Sequence, residues 1–352
     1  MDVNSVLDSI RGPVRIIFEP TISCNLRCPM CDRTHKSDFT KHRDDKLNKE
    51  HIEIMLRDIG EMGVRHILLI GGGEPLTEPN ILHYIGLLKS YDINVHLWTN
   101  GTLISEDNAE FLAKQCDMIT VSLDSSNPDV NDKSRGVPGS TQKSIAGLKL
   151  LRYHNSYLYL RIHSVISALN VDNLTDFVSL AKELSLNEIG GAVMNPFEFV
   201  PDNMRLSNTQ KAALNNNIEK LRALAHKEGI ALAGCYEDIS GKTIRKLMRE
   251  HGLSQNKCVT CLGLWTQATI RPNGDVSVCC FTYKPVLGNL HDASFREIWM
   301  SDRAHALREY CKRGNYIDEP CKGCNLGHPV FTRLLEKCGN MQIFNDMQIR
   351  SR

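Results

Sequence analysis

Residues 21–35 read TISCNLRCPMCDRTH and follow directly on VRIIFEP at 14–20. Cys24, Cys28 and Cys31 thus fall within eight residues. Zinc sites and most iron–sulfur sites take four protein ligands. Three thiols mean either a fourth ligand from elsewhere or a metal position left open, and taken alone they also fit half of a zinc knuckle. The run ahead of them is rich in β-branched and apolar residues and predicts a strand. βα barrels build their sites at the C-terminal ends of strands, so Cys24 stands where a functional residue is expected.

Outward from this stretch the same pattern repeats. Strands are predicted at 66–72 (HILLIGG), 94–100 (NVHLWTN), 118–124 (MITVSLD), 158–167 (LYLRIHSVIS) and 188–194 (EIGGAVM). Helical patterns fall near 48–62, 80–90, 105–115, 140–154, 173–184 and 208–228. In the first of these, Ile52, Ile54, Met55, Ile59 and Met62 form the expected apolar stripe, and Gly63 supplies the stop. Six βα units in series predict a parallel sheet, because parallel neighbours need helical crossovers. The alternation alone fits an open sheet and a barrel equally. After about residue 230 the character changes. A turn at 271–275 leads into a short strand in GDVSVCCF, and SFREIWMSDRAHALREYC (294–311) reads as one helix. The remainder is loop, and a small loop-rich segment needs a metal or another staple.

At 352 residues the chain is long enough for about two domains of roughly 150 residues each. A formal net charge of +1 gives no global field toward nucleic acid or an anionic membrane. There is no signal-peptide pattern and no apolar run near the ~18 residues of a membrane span, so a cytoplasmic chain is expected. In a reducing compartment, thirteen cysteines read as metal ligands rather than disulfides. They group as 24, 28 and 31, then as 258, 261, 279, 280, 311, 321, 324 and 338, with Cys116 and Cys235 apart. Two groups predict two metal sites.

The Cys-x3-Cys-x2-Cys spacing, with IGGGEPL (70–76), TNGTL (99–103) and VSLDS (121–125) at the ends of the next three strands, resembles the radical S-adenosylmethionine (SAM) superfamily. The resemblance implies an α/β fold, a partial (β/α)6 TIM-like barrel over 14–230 after a lead-in at 1–13. It implies a [4Fe–4S] cluster on Cys24, Cys28 and Cys31, its open iron chelated by S-adenosylmethionine. Reductive cleavage then gives a 5′-deoxyadenosyl radical that abstracts a substrate hydrogen. Gly72, Gly73, Glu74 and Pro75 would line the methionyl amino group. Ser122 would meet the ribose or carboxylate, and Asn100 would lie alongside. Met30 stands where the family often has an aromatic residue beside the adenine, and Arg135 would meet the cofactor carboxylate. Asp124 either touches substrate or caps the following segment. Arg161 and Asn170 are further candidates, whereas His163 is read as a packing or solvent-facing residue.

Residues 258–326 resemble the SPASM extension, an auxiliary iron–sulfur domain. Cys261, Gly274 and Cys279 match its opening, LGNL (287–290) and REIW (296–299) its middle, and PCKGC (320–324) its Cys-x2-Cys. The later Cys-x5-Cys-x3-Cys element is absent, so one auxiliary [4Fe–4S] cluster is expected, on Cys261, Cys279, Cys321 and Cys324. Cys280 could replace Cys279, since strand neighbours point oppositely. Cys258, Cys311 and Cys338 are spare, and a zinc ribbon is the competing reading of the same four thiols. The domains expected are a connection at 231–257, a small C-terminal cysteine-rich iron–sulfur domain at 258–328 and a tail at 329–352.

A closed auxiliary cluster suits an electron conduit, hence substrate oxidation (dehydrogenation). Epimerisation instead needs a hydrogen donor, for which Cys235 is the candidate. With only about 13 residues ahead of the first strand and no room there for a leader-recognition domain, the substrate expected is a small metabolite such as a sugar, aminocyclitol or nucleoside. A peptide-modifying maturase is the alternative, and a non-catalytic zinc or cluster-binding adaptor the remote one. Flavodoxin or ferredoxin would donate electrons, and neither membrane nor nucleic acid is an expected partner.

Overall fold

The computed structural model describes residues 12–35, 46–195, 197–236, 263–279, 284–313 and 315. Strand β1 (Arg15–Phe18) leads into the cysteine loop and a short helix α1 (Asp32–His35). Then follow α2 (Lys49–Glu61), β2 (His66–Leu69), α3 (Ile81–Ser90), β3 (Asn94–Thr99), α4 (Glu106–Gln115) and β4 (Met118–Ser122). Two helices, α5 (Pro128–Arg135) and α6 (Ser140–His154), precede β5 (Tyr159–Ile166). After it come α7 (Asp176–Glu183), β6 (Glu188–Val193), α8 (Asn208–Lys227) and β7 (Ala231–Gly234). The C-terminal part adds α9 (Gly263–Thr266), β8 (Gln267–Ile270), β9 (Asp275–Ser277), β10 (Val286–Asn289), α10 (Phe295–Trp299) and α11 (Asp302–Lys312).

The ten strands form one sheet in the order β10-β9-β8-β1-β2-β3-β4-β5-β6-β7. Every neighbouring pair from β8 to β7 is parallel. Strands β1 to β6 follow chain order with no reversal. Crossovers of one hand then lay the helices on one face, which makes this a barrel-type winding rather than a doubly wound sheet. Among the described residues, β7 and β10 each have one neighbour, so the barrel is partial.

Alternation along each strand sets the layers. Ile16 and Phe18, Ile67 and Leu69, Val95 and Leu97, Ile119 and Val121, and Leu160 and Ile162 join the buried core beneath the helices. On α2 the buried residues are Ile52, Met55, Leu56 and Ile59. Ile54, expected in that stripe, is 43% exposed; two residues from Ile52 it sits on the far side of a 3.6-residue turn, and Leu56 takes the core position.

The structure departs from expectation in three places. Gln267–Ile270, not foreseen as a strand, is wholly buried and pairs parallel with β1, so the C-terminal part is grafted onto the barrel's first strand. Ala231–Gly234 extends the sheet past β6. Residues 294–311 form two helices, not one: Met300 N closes the first onto Arg296 O, and the Ser301 hydroxyl caps Ala304 N to start the second.

Candidate functional site: the cysteine loop at the C-terminal end of the barrel

The loop after β1 is held from both sides. Gly73 N donates to Thr21 O (2.9 Å) and Glu74 N to Ser23 O (2.7 Å). The Thr77 hydroxyl donates to Ser23 O at 3.0 Å. A Cβ on Gly73 would stand 2.0 Å from Ser23 O, so only glycine permits this approach. On the other side Arg27 N donates to Arg135 O at 3.2 Å. Within the loop Cys31 N donates to Cys28 O, Leu26 N to the Cys24 sulfur, and Arg33 Nη2 to Leu26 O. The three thiols are partly exposed.

Burial pushes the Cys24 thiol up, against the pull of the Leu26 amide and of Arg33. It pushes Cys28 up to about 11, with Arg135 the chief opposing influence. Ligand thiols must lose these protons to bind metal. Among the described residues no group of three or more His, Cys, Asp or Glu is arranged to hold a single metal ion. The loop does fit a cluster with an exposed corner: three partly exposed sulfurs, two arginines nearby to balance thiolate charge, and a buried Arg135 Nε without a hydrogen-bond partner.

Glu74 is buried, and its carboxylate joins the ends of β2 and β3. Oε1 accepts from Thr99 Oγ1 (2.5 Å) and Leu76 N (3.2 Å), and Oε2 from Asn100 N (2.7 Å). Burial raises its pKa to about 7 despite these donors. Asn100 Nδ2 donates to Asn25 Oδ1 (2.9 Å), whose own amide donates to the Thr102 hydroxyl, while Asn100 Oδ1 accepts from Thr102. Gly72, Gly73, Glu74, Pro75 and Asn100 are therefore brought together against the cysteine loop. Glu74 does so as a tie between loops, beyond the ammonium-facing role expected of it.

Asp124 is 1% exposed and does not face an open space. Oδ1 accepts from Arg135 Nη2 (2.7 Å) and Val165 N (2.8 Å), Oδ2 from Ser134 Oγ (2.5 Å). Of its two expected roles the geometry supports the structural one, acting through Arg135. Asn170 ties the same corner, donating to Asp124 O and Val165 O. Met30 lies in the turn between Cys28 and Cys31.

The strand face opposite the helical core is polar from β3 to β6. His96 meets the Thr120 hydroxyl (2.8 Å), Trp98 Nε1 donates to Ser122 Oγ (3.0 Å), and Arg161 donates to Thr120 and Glu188. Arg161 lies over the Trp98 ring, and His163 meets that ring edge-on at 4.7 Å. Burial and Arg161 hold His96 well below its ordinary range and His163 at about 3, so both imidazoles are neutral. Trp98, Thr120 and His96 were not singled out from sequence. The signal was there, because polar residues at every second position break the continuous apolar run of a strand buried on both faces. The adjacent glycines of EIGGAV serve the two faces: a Cβ on Gly190 would stand 2.7 Å from His163 Nδ1, and one on Gly191 2.3 Å from the Tyr236 ring.

Cys235 packs partly buried against the hydrophobic core, its thiol pushed up to about 11 by burial. That is the setting of a small hydrophobe rather than an exposed donor. Cys279 is partly buried, and Cys311 is core at 2% exposure. Cys258, Cys261, Cys280, Cys321, Cys324 and Cys338 lie outside the described residues.

Two family models match the chain: the radical SAM superfamily over residues 18–184 and the SPASM iron–sulfur cluster-binding domain over 261–325. The AdoMet-dependent heme synthase of Methanosarcina barkeri is 27% identical over 82% of each chain. Mycofactocin maturase MftC of Mycolicibacterium smegmatis is 26% identical over 92% of this chain and 80% of its own. The PqqA peptide cyclase of Streptomyces rochei is 25% identical over 91% and 84%. Among solved structures, Streptococcus suis SuiB bound to S-adenosylmethionine shares the fold at a TM-score of 0.65 and 18% identity, covering 92% of this chain and 73% of that one. The radical SAM domain brings a [4Fe–4S] cluster and S-adenosylmethionine, and the SPASM domain brings auxiliary iron–sulfur chemistry. Three thiols at the head of a partial barrel and two matches in this order show that the chain carries a radical SAM domain over residues 18–184 and a SPASM iron–sulfur cluster-binding domain over 261–325.

Proposed function

We propose that this radical SAM enzyme is a peptide-modifying maturase. The observation that carries the reading is its similarity, along about nine-tenths of its length, to proteins named as a mycofactocin maturase and a PqqA peptide cyclase. AlbA, a Bacillus subtilis protein of subtilosin biosynthesis, is likewise 24% identical over 89% of this chain. These relatives favour a peptide over the small sugar, aminocyclitol or nucleoside expected from sequence.

A reduced cluster with S-adenosylmethionine on its open iron supplies a 5′-deoxyadenosyl radical that takes a hydrogen atom from the substrate. The chain's own residues do the rest. Cys24, Cys28 and Cys31 present sulfur ligands from a loop that Gly73, Glu74 and Arg135 hold fixed. The backbone at Gly72 to Pro75 would receive the methionyl end. The Arg135 Nε, buried and without a hydrogen-bond partner, would be a donor available to the carboxylate. Ser122, the neutral His163 and Trp98 line the wall beyond. Cys279, with Cys261, Cys321 and Cys324, would hold one auxiliary cluster, whose chemistry would be that of an electron acceptor for the substrate, and a flavodoxin or ferredoxin would supply the first electron.

The heme synthase similarity supports a second reading, a tetrapyrrole substrate. One experiment separates them. The anaerobically reconstituted full chain is given S-adenosylmethionine, dithionite and synthetic peptides made from short reading frames beside its gene. Peptide-stimulated 5′-deoxyadenosine and an altered peptide mass are expected. Unaltered peptides, with conversion of an added heme precursor, would overturn the peptide reading.

A further inference from the structure

The end of α5 is pressed against the cysteine loop. Besides the bond from Arg27 N to Arg135 O, a Cβ on Gly136 would stand 2.2 Å from Arg27 O, one residue before Cys28. The Arg135 side chain turns back into the protein at 8% exposure. One nitrogen is gripped by Asp124 at 2.7 Å, and Asp124 is itself fixed by the Val165 amide and the Ser134 hydroxyl. The guanidinium lies within hydrogen-bonding reach of the Cys28 thiol. An ion pair this buried is a weak device for stability, because packed apolar side chains of similar volume often do as well. A fixed charge and a donor at a ligand sulfur have a more specific effect. Hydrogen bonds to the sulfurs and net charge around an iron–sulfur cluster set its reduction potential.

We propose that Asp124 aims Arg135 at the Cys28 sulfur, and that this held cation raises the reduction potential of the cluster on Cys24, Cys28 and Cys31. Reduction adds one electron to the cluster from an external donor, and no covalent bond is made or broken. The added negative charge is stabilised by the guanidinium. Asp124 is the positioning residue, and its carboxylate also offsets part of the cation's field. Removing each charge in turn therefore moves the potential in opposite directions. A purely structural role for the pair gives no such inversion.

The test is a redox titration of the reconstituted full chain, with dithionite as reductant and electron paramagnetic resonance as readout. The component followed is the one that changes when S-adenosylmethionine is added, which separates this cluster from the auxiliary one. Arg135→Gln should lower the equilibrium constant for reduction tenfold or more, about 59 mV for one electron. Arg135→Lys, which keeps the charge, should restore most of it. Asp124→Asn, which keeps the shape and removes the opposing charge, should shift the potential upward. An unchanged potential in Arg135→Gln with full iron content overturns the proposal, as does a downward shift in Asp124→Asn. Should Arg135→Gln fail to hold a cluster, the Lys and Asn variants still decide. No substrate is present, so the outcome is independent of the peptide reading.

Discussion

The Thr99 hydroxyl, at the last residue of β3, donates to Glu74 Oε1 across 2.5 Å inside the protein. This bond joins the ends of β2 and β3 directly under the cysteine loop, and it leaves a carboxyl group in a place where its charge is costly. Burial raises its pKa from 4.5 to about 7 in the folded chain. Between those values the folded state holds more proton than the unfolded state, so this group's contribution to stability falls as pH rises from about 4.5 to 7. The whole effect is roughly 3 kcal/mol at about 1.4 kcal/mol per unit. In cluster-free protein, chemical denaturation across this window should show Glu74→Gln losing less stability with rising pH than the parent. Parallel pH profiles would contradict the buried, proton-holding state of Glu74.

Gly73 admits no side chain. A methyl group there would have to push Ser23 O away from 2.0 Å, and that carbonyl accepts from Glu74 N and Thr77. Gly73→Ala should fold, because the helical core lies elsewhere, but reconstitute with about half the iron of the parent as one of two [4Fe–4S] clusters fails to load. Iron analysis with visible absorption checks this. Full loading would show that the loop tolerates displacement.

The neighbouring glycines of β6 should separate stability from chemistry. Gly191→Ala drives a methyl into the Tyr236 ring, which is fully buried with its hydroxyl 2.6 Å from Ser164 Oγ. Overpacking of this kind costs about 1–3 kcal/mol, read as a lower denaturation midpoint. Gly190→Ala presses chiefly on the partly exposed ring of His163, which can turn away, and touches the Arg161 side chain at ordinary contact distance. It should cost less stability and slow 5′-deoxyadenosine formation. Equal losses of stability would mean that both glycines face tight packing.

Cys311 tests the reading of the spare cysteines. It is 2% exposed within the hydrophobic core at the end of α11. Cys311→Ala should leave the iron content of reconstituted protein unchanged while lowering stability by about 1 kcal/mol, the scale of a small truncation in a packed core. Loss of iron would make it a ligand.

Much of this was legible in the chain. VRIIFEP, HILLIGG and NVHLWTN mark strands by composition alone, and the Cys-x3-Cys-x2-Cys and Gly-Gly-Glu-Pro runs fall at strand ends where a barrel builds its site. Local signals of this kind act over a few residues and survive any packing. The short α5 went unforeseen, although Asn127, Pro128 and Gly136 mark its ends, because Val130 is the one aliphatic side chain among its eight residues and so no apolar period appears. The split at Met300–Ser301 was masked by a helical pattern that continues across it.

The sequence by itself determined the alternation of strands and helices from β1 to β6, α5 excepted, and the three thiols and their place behind β1, because these depend on side-chain chemistry and spacing along the chain. Only the tertiary structure decided that Gln267–Ile270 lies against β1, that Glu74 is spent on Thr99 and Asn100, and that Asp124 faces Arg135 rather than open space. Those outcomes join residues 11 to more than 250 positions apart. Their partners are chosen by which groups must be buried together with every donor and acceptor satisfied, a condition that exists only once the whole sheet has formed.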